Sequence, residues 1–489
     1  MSDNVKAKKT PAKRKSAEKK LKVLFVASEA APFVSTGGLG QVVSALPEAL
    51  QNVDAGVDVR VVIPLYASVR QKYDAVLELV GETSVNLSWR NLYCGVYQTK
   101  LDGVTYYFVD NEYYFLREGC YGYFDDGERF AYFAKSVFSV IELTGFIPDV
   151  IHSHDWQSAL TVIYHKALFA ERLAGTKSVF TIHNMEYQGQ YPSAILGDVF
   201  DLPIEQYNVV AYDGCINLMK GAMVCADAIT TVSPSYAEEI KRDCGFKLEK
   251  AVNQYAHKLI GIVNGINTRV NDPQTDSSLK KKYSAETLED KAANKAEAQK
   301  LFGLKKAPRK MLFCVVSRLV SFKGIDLLAH IMEDIFRMDA QFLLLGTGDS
   351  RYEHFFSEMA VRHPGQIGVS IAYNPEIASK IYAGADCTLM PSLSEPCGLA
   401  QMISCRYGTI PIVRETGGLR DTIKDCRLGE GNGFVFREYD AGVFLDTVAQ
   451  AHDLYTNKED DWKNLMRQAM ASDFSWESSA KEYLKLYRS

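Results

Sequence analysis

The hydrophobic positions fall into a repeating alternation of short apolar runs and longer stretches with helical spacing. Residues 23–27 are an apolar run rich in β-branched and aromatic side chains, which predicts a buried strand. A turn-rich segment with Thr36, Gly37, Gly38 and Gly40 follows, and then Val42, Val43, Leu46, Ala49 and Leu50 recur at the spacing of a helix. Strands are predicted at 57–63 and 104–109, a helix at 126–143, and a short strand at 149–153 that leads into HDWQSALTVIYHKAL. Residues 178–182, 228–232 and 259–263 continue the series. Strands separated by helices imply parallel sheets wound on both faces.

After Gly265 the pattern changes. Residues 268–306 are polar and charged, with Lys280-Lys281-Lys282 and the helical-looking AETLEDKAANKAEAQKLFGL, and read as a surface connection. A second α/β series starts at Lys310 with MLFCVVSRL and runs through QFLLLGTG, IGVSIAY, CTLMPS and TIPIVRE. Two doubly wound halves of similar size leave a cleft lined by loops at the carboxyl ends of their strands.

Composition narrows the classes. A chain of 489 residues is too long for one ordinary core. Its 47% hydrophobic and 24% charged residues are ordinary for a globular protein. The net charge of −5 gives no overall pull toward nucleic acid or an acidic membrane. No apolar run approaches the roughly 18–20 residues that span a bilayer. Residues 1–20 are lysine-rich with almost no apolar positions, which predicts a solvated, disordered tail without the apolar core of a signal peptide. The ten cysteines form no C-x-x-C pair, so they are expected to be mostly buried thiols in a reducing cytoplasm.

Strand, glycine turn, helix is the arrangement that turns free N–H groups toward an anion, and Gly37-Gly38 stand where it is needed. On this loop alone a plain tight turn is equally compatible, and no lysine or arginine lies between Lys22 and Arg60. In the second half Arg318 ends a strand and Lys323 opens the next helix, so both belong on one loop at the sheet's carboxyl end. A guanidinium and an ammonium there suit a diphosphate. In LMPSLSEPCGL, Glu395 follows a strand and precedes a helix, a position for binding sugar hydroxyls, for supporting charge at a sugar carbon, or for simple capping. The pair Gly417-Gly418 echoes the first pair and predicts another anion-facing turn. His154-Asp155 and His183-Asn184 each follow a strand directly. With His152 they bring three histidines together but lack the acidic ligands of a catalytic metal site, and no metal is expected. Tyr106, Tyr107, Tyr113, Tyr114, Tyr121 and Tyr123 suit either sugar stacking or core packing.

Taken together, STGGLGQVVSALPEAL, HSHDWQSAL, FTIHNMEYQGQY, ADAITTVSPSYAEEI, GIVNGIN, VVSRLVSFKGIDLL, SLSEPCGLAQM and RETGGLRDT resemble bacterial glycogen synthases and plant starch synthases in order and spacing. The resemblance implies a GT-B fold, α/β with two Rossmann-like domains facing a deep cleft. Its parts are a tail at 1–20, an acceptor domain at 21–267, a connector at 268–306, a nucleotide-sugar domain at 307–470 and a returning helix at 471–489. It implies retaining transfer of glucose from ADP-glucose or UDP-glucose to the non-reducing end of an α-1,4-glucan, with no cofactor. The residues it assigns to catalysis are Arg318, Lys323, Glu395, His183 and Asp155. Gly37, Gly38, Asn264, Cys397, Gly398 and Leu399 go to the donor. The resemblance leaves oligomeric state open.

The chain departs from the family pattern at Ser35, where a lysine is usual, at Gln41, where an aspartate is usual, and at Ala400, where a hydroxyl residue is usual. Asn267 and Asn271 replace the connector's aspartate and tryptophan, and Lys247-Leu248-Glu249-Lys250 replaces a glycine-rich segment. These changes set a working glucan synthase with altered donor binding against a weakly active or inactive paralogue that binds glucan or nucleotide sugar as a regulator or partner subunit.

Overall fold

The computed structural model describes residues 20–489 apart from Tyr373, so the predicted basic tail lies, except for Lys20, outside the described residues. The first half is built on a nine-stranded sheet. Seven strands run parallel in the order Leu259–Gly261, Ala228–Thr231, Lys177–Ile182, Val150–His154, Leu21–Val26, Val57–Pro64 and Val104–Asp110. Their central members are buried almost throughout, as expected where helices cover both faces. The helices Gly38–Val53, Asp126–Thr144 and Trp156–Leu168 supply that cover.

The sheet is not parallel throughout. Arg90–Leu101 and Glu78–Leu87 extend it antiparallel at one edge, and a register shift falls between Leu79 and Gly81. Most positions of Glu78–Leu87 are exposed or half-buried, so this edge strand lacks the apolar run that marks a central strand. Irregularity and exposure at an edge are ordinary means of keeping it from pairing with another chain.

The second half holds a six-stranded, wholly parallel sheet in the order Ile367–Ser370, Gln341–Leu345, Leu312–Val316, Cys387–Met390, Ile410–Arg414, Phe434–Phe436. In chain order this is 3-2-1-4-5-6, the doubly wound dinucleotide-binding order. Segment 268–306, expected at the surface, is partly a structural member of this half. Its helix Lys291–Leu301 buries Lys291, Asn294, Lys295, Ala298 and Gln299. Lys291 Nζ donates to the carbonyls of Tyr382, Ala383 and Tyr407 and to Thr409 Oγ1 at 2.8–3.1 Å. A cationic sequence is therefore no sign of exposure where carbonyls replace water around the ammonium.

The helix Trp476–Arg488 returns to the first half. Tyr487 OH lies 2.7 Å from His152 Nδ1, Ser479 Oγ donates to Val263 O at 2.6 Å, and Lys177 Nζ donates to Leu486 O at 2.7 Å. Trp476, Tyr483 and Tyr487 are part of the first half's core.

Candidate active site

Each sheet reverses its strand order at one point, and Gly37, Gly38, Asp155, Arg318, Lys323 and Glu395 follow the strands that flank it. In the first sheet Leu21–Val26 lies beside Val150–His154, followed respectively by the Gly37-Gly38 loop and Asp155. In the second Leu312–Val316 lies beside Cys387–Met390, followed by Arg318 and Lys323 on one side and Glu395 on the other. Such a switch point opens a crevice because the two connections leave toward opposite faces.

The first loop is organised by an acid that sequence reasoning passed over. Glu29 is 3% exposed, and its carboxylate accepts the main-chain N–H of Thr36, the Thr36 hydroxyl at 2.7 Å and Tyr121 OH at 2.5 Å. Tyr121 OH also lies 2.7 Å from Ser28 Oγ. The signal was a lone acid in the apolar stretch directly after the first strand. Gly37 is extended, with φ −170°, and a Cβ at Gly37 or Gly38 would meet no atom of the described residues within 4 Å beyond its own chain neighbours. Neither Gly37's backbone conformation nor local packing demands glycine there. Ser35, at the family's lysine position, donates to Gly37 O at 3.1 Å and packs against Gly40. Gln41 is exposed.

Asp155 sits at the end of its strand with φ 57°, a conformation costly for a residue with a side chain. Its Oδ1 accepts the main-chain N–H of His183 at 2.7 Å. Burial pushes its carboxyl up to about 7. Behind it the imidazoles stand in a row, with His183 Nε2 3.0 Å from His154 Nδ1 and His152 between Tyr487 OH and Thr181 Oγ1. Burial lowers all three, His183 to about 3, so these rings are neutral around pH 7.

In the second half Arg318 is exposed, and both its guanidinium and Lys323 Nζ lie against the Phe322 ring, 5.3 and 5.5 Å from its centre. Lys323 Nζ is 2.5 Å from Glu395 Oε2, which also accepts Ser392 Oγ at 3.2 Å. The Lys323 and Glu395 loops are tied by Leu393 N–H donating to Phe322 O at 2.8 Å. Cys397 is buried among first-half core residues, and burial pushes its thiol up to about 12. Gly398 has φ 75°, and Leu399 and Ala400 are half-buried where the helix Ala400–Arg406 begins. Asn264 is 6% exposed, and its Oδ1 has no hydrogen-bond partner among the described residues.

Gly417-Gly418 face an anion of the chain's own, the Glu239 carboxylate, which accepts the Gly417 N–H at 2.8 Å. A Cβ at Gly417 would fall 2.0 Å from Glu395 O, and one at Gly418 2.3 Å from Cys397 O. Gly418 N–H donates to Glu395 O at 3.1 Å. This pair is glycine so that the chain can lie directly on the Glu395–Cys397 backbone. Of the tyrosines considered for stacking, Tyr106, Tyr107 and Tyr114 are core residues, Tyr121 belongs to the Glu29 network, and Tyr113 is exposed.

Two family models match the chain, one described as Starch synthase catalytic domain over residues 22–254 and one as Glycosyl transferases group 1 over residues 297–468. A glycogen synthase of Bacillus cereus (strain B4264) is 45% identical over 479 residues, covering 96% of this chain and 99% of the relative. A glycogen synthase of Exiguobacterium sibiricum is likewise 45% identical over 479 residues, with the same coverage. The catalytic domain of starch synthase IV from Arabidopsis thaliana, solved bound to ADP and acarbose, is 33% identical and superposes with a TM-score of 0.90 over 96% of this chain and 99% of its own. A sucrose-phosphate synthase from Thermosynechococcus elongatus shares the fold, with a TM-score of 0.60 at 17% identity and 96% and 98% coverage.

Proposed function

The chain belongs to the glycogen synthase and starch synthase family of GT-B hexosyltransferases, and from that premise we propose that its cleft moves glucose from ADP-glucose or UDP-glucose to the 4-hydroxyl at the non-reducing end of an α-1,4-glucan, retaining the anomeric configuration. The observation that carries this reading is the pairing of Lys323 with Glu395 at the switch point of the second sheet, with Arg318 against the same phenylalanine ring. Arg318 and Lys323 take the donor's diphosphate and offset the charge it gains as the sugar–oxygen bond breaks. Glu395 lies where a carboxylate stabilises positive charge growing at the sugar carbon, and Asp155, Asn264 and His183 orient the glucose hydroxyls. The leaving phosphate oxygen accepts the proton released by the acceptor hydroxyl.

The Gly37-Gly38 loop supports the same reading, because among the described residues no side chain beyond its chain neighbours lies within 4 Å of where a Cβ would stand. The Arabidopsis relative was solved with ADP and acarbose, a nucleotide and an oligosaccharide analogue, which are the two ligand classes proposed here. Ser35 and Gln41 alter the side chains around that loop and leave its backbone path held by Glu29.

The deciding experiment incubates the purified protein with ADP-glucose or UDP-glucose and glycogen and measures nucleoside diphosphate release. Release that requires glycogen and disappears in Arg318→Ala or Glu395→Ala supports the proposal. No release with either donor overturns it.

A further inference from the structure

Two sequence motifs left without a role in the proposed chemistry meet each other across the cleft. SPSYAEEI follows the first-sheet strand Ala228–Thr231, and RETGGLRDT follows the second-sheet strand Ile410–Arg414. Glu239 accepts the main-chain N–H of Gly417 at 2.8 Å and the Thr416 hydroxyl at 3.2 Å. Four residues earlier, Ser235 donates its N–H and its hydroxyl to the two oxygens of Asp421, at 2.8 and 2.6 Å. Ser233 Oγ donates to Pro396 O at 2.6 Å. All these bonds join the first domain to the second.

What they hold is the segment that carries Glu395. Gly417 and Gly418 lie on the main chain of Glu395 and Cys397 without room for a Cβ, so the position of Gly417 fixes that of Glu395 O. Ser233 grips the adjoining carbonyl directly. On the other side, the half-buried Arg414 straps residues 392–393, donating to the carbonyls of Ser392, at 2.7 Å, and Leu393. Glu239 is therefore two contacts from the Glu395 main chain, although it sits on the opposite domain.

We propose that Glu239 is a positioning residue: together with Ser233 and Ser235 it joins the domains and sets the Glu395 loop, so that the pair Lys323–Glu395 takes its working geometry only when the first domain is seated. A charged acceptor on a main-chain N–H is roughly twice as strong as a neutral one, and these bonds exist only while the domains are in contact. They therefore couple domain closure to assembly of the site, as hinge-closing enzymes do. The inference rests on the transferase reading for its kinetic arm and on geometry alone for its structural arm.

The test compares Glu239→Ala, Glu239→Gln and the control Glu238→Ala, whose exposed glutamate pairs with Lys241 just beyond its helix. Expected is a loss of at least tenfold in kcat/KM for ADP-glucose in Glu239→Ala. Glu239→Gln keeps an acceptor oxygen and should recover a third or more of the activity, while Glu238→Ala should match the parent. Small-angle scattering in the presence of ADP should show a larger radius of gyration for Glu239→Ala than for the parent. Parent-like kinetics in Glu239→Ala, no recovery in Glu239→Gln, or lost activity with unchanged scattering would each overturn the proposal. Should Glu239→Ala fail to fold by circular dichroism, Ser235→Ala, which removes one hydroxyl bond, carries the same comparison with a smaller effect. If the parent itself releases no nucleotide the transferase reading fails, while the scattering comparison still decides the positioning role.

Discussion

Lys323 and Glu395 face each other across the switch point of the second sheet, the ammonium 2.5 Å from a carboxylate that is 4% exposed. Removing the half-buried lysine is costly, because the buried carboxylate is left uncompensated. In the proposed reaction a donor diphosphate is a second anion for Lys323, which then serves the leaving group without first losing its partner. Lys323→Ala should lower kcat by about 10²–10³, the scale seen when one preorganised donor to a developing charge is removed. Glu395→Gln, which keeps the shape and discards the charge, should reduce kcat while ADP affinity changes less than threefold. Steady-state kinetics with calorimetric ADP binding checks both.

The two glycine pairs should respond oppositely to alanine. At Gly37 the backbone is extended and the added methyl meets no atom of the described residues within 4 Å beyond its own chain neighbours. Gly37→Ala should therefore leave stability within about 1 kcal/mol of the parent while weakening ADP binding about tenfold. Gly417 has φ 43° and no space, so Gly417→Ala should cost about 2–3 kcal/mol in a urea melt and should impair kcat through displacement of Glu395. Equal behaviour of the two variants in the melts would contradict the roles given to the loops.

Ser35 stands where the sequence resemblance implies a lysine on the first loop. A charge-assisted hydrogen bond to phosphate is worth about 1.5–3 kcal/mol. Ser35→Lys, alone or with Gln41→Asp, should tighten ADP-glucose binding about tenfold or more by calorimetry. The lysine stem must leave by the exposed side, because Ser35 already packs on Gly40. An unchanged dissociation constant would show that this loop binds through its main chain alone.

Asp155 gives a pH signature with a definite sign. Burial raises its pKa from the usual 3.8 to about 7, so between about pH 4 and 7 the folded chain holds a proton that the unfolded chain has released. Stability from this group falls as pH rises through that window and levels off above it. Asp155→Asn lacks the loss. The unfolding free energy of Asp155→Asn relative to the parent should therefore be higher at pH 8 than at pH 5 in urea melts. A difference that does not change with pH would place Asp155 in a more solvated setting than its burial indicates.

Much of this arrangement could be read from residue order. The apolar runs mark the central strands because parallel strands are buried on both faces, and Arg318, Lys323 and Glu395 follow strands that prove to adjoin. Three features escaped for physical reasons. The edge strand Glu78–Leu87 is largely exposed or half-buried and carries no apolar run. Lys291 and Lys295 look like surface residues until carbonyl and carboxylate partners are found for them inside the second domain. Gly417 and Gly37 stand in nearly the same local sequence, yet one faces its own backbone and the other does not, a distinction that depends on chain segments far away in sequence.

The returning helix Trp476–Arg488 bears on the order in which the protein can be made. Its Tyr487 touches His152, which stands beside His154, which in turn meets His183 at the site. The first domain's core is therefore closed by residues synthesised after the whole of the second domain. Residues 21–267 alone form a sheet that lacks the cover given by Trp476, Tyr483 and Tyr487. That half is completed by the last helix of the chain, so two units that look separable along the sequence share one core.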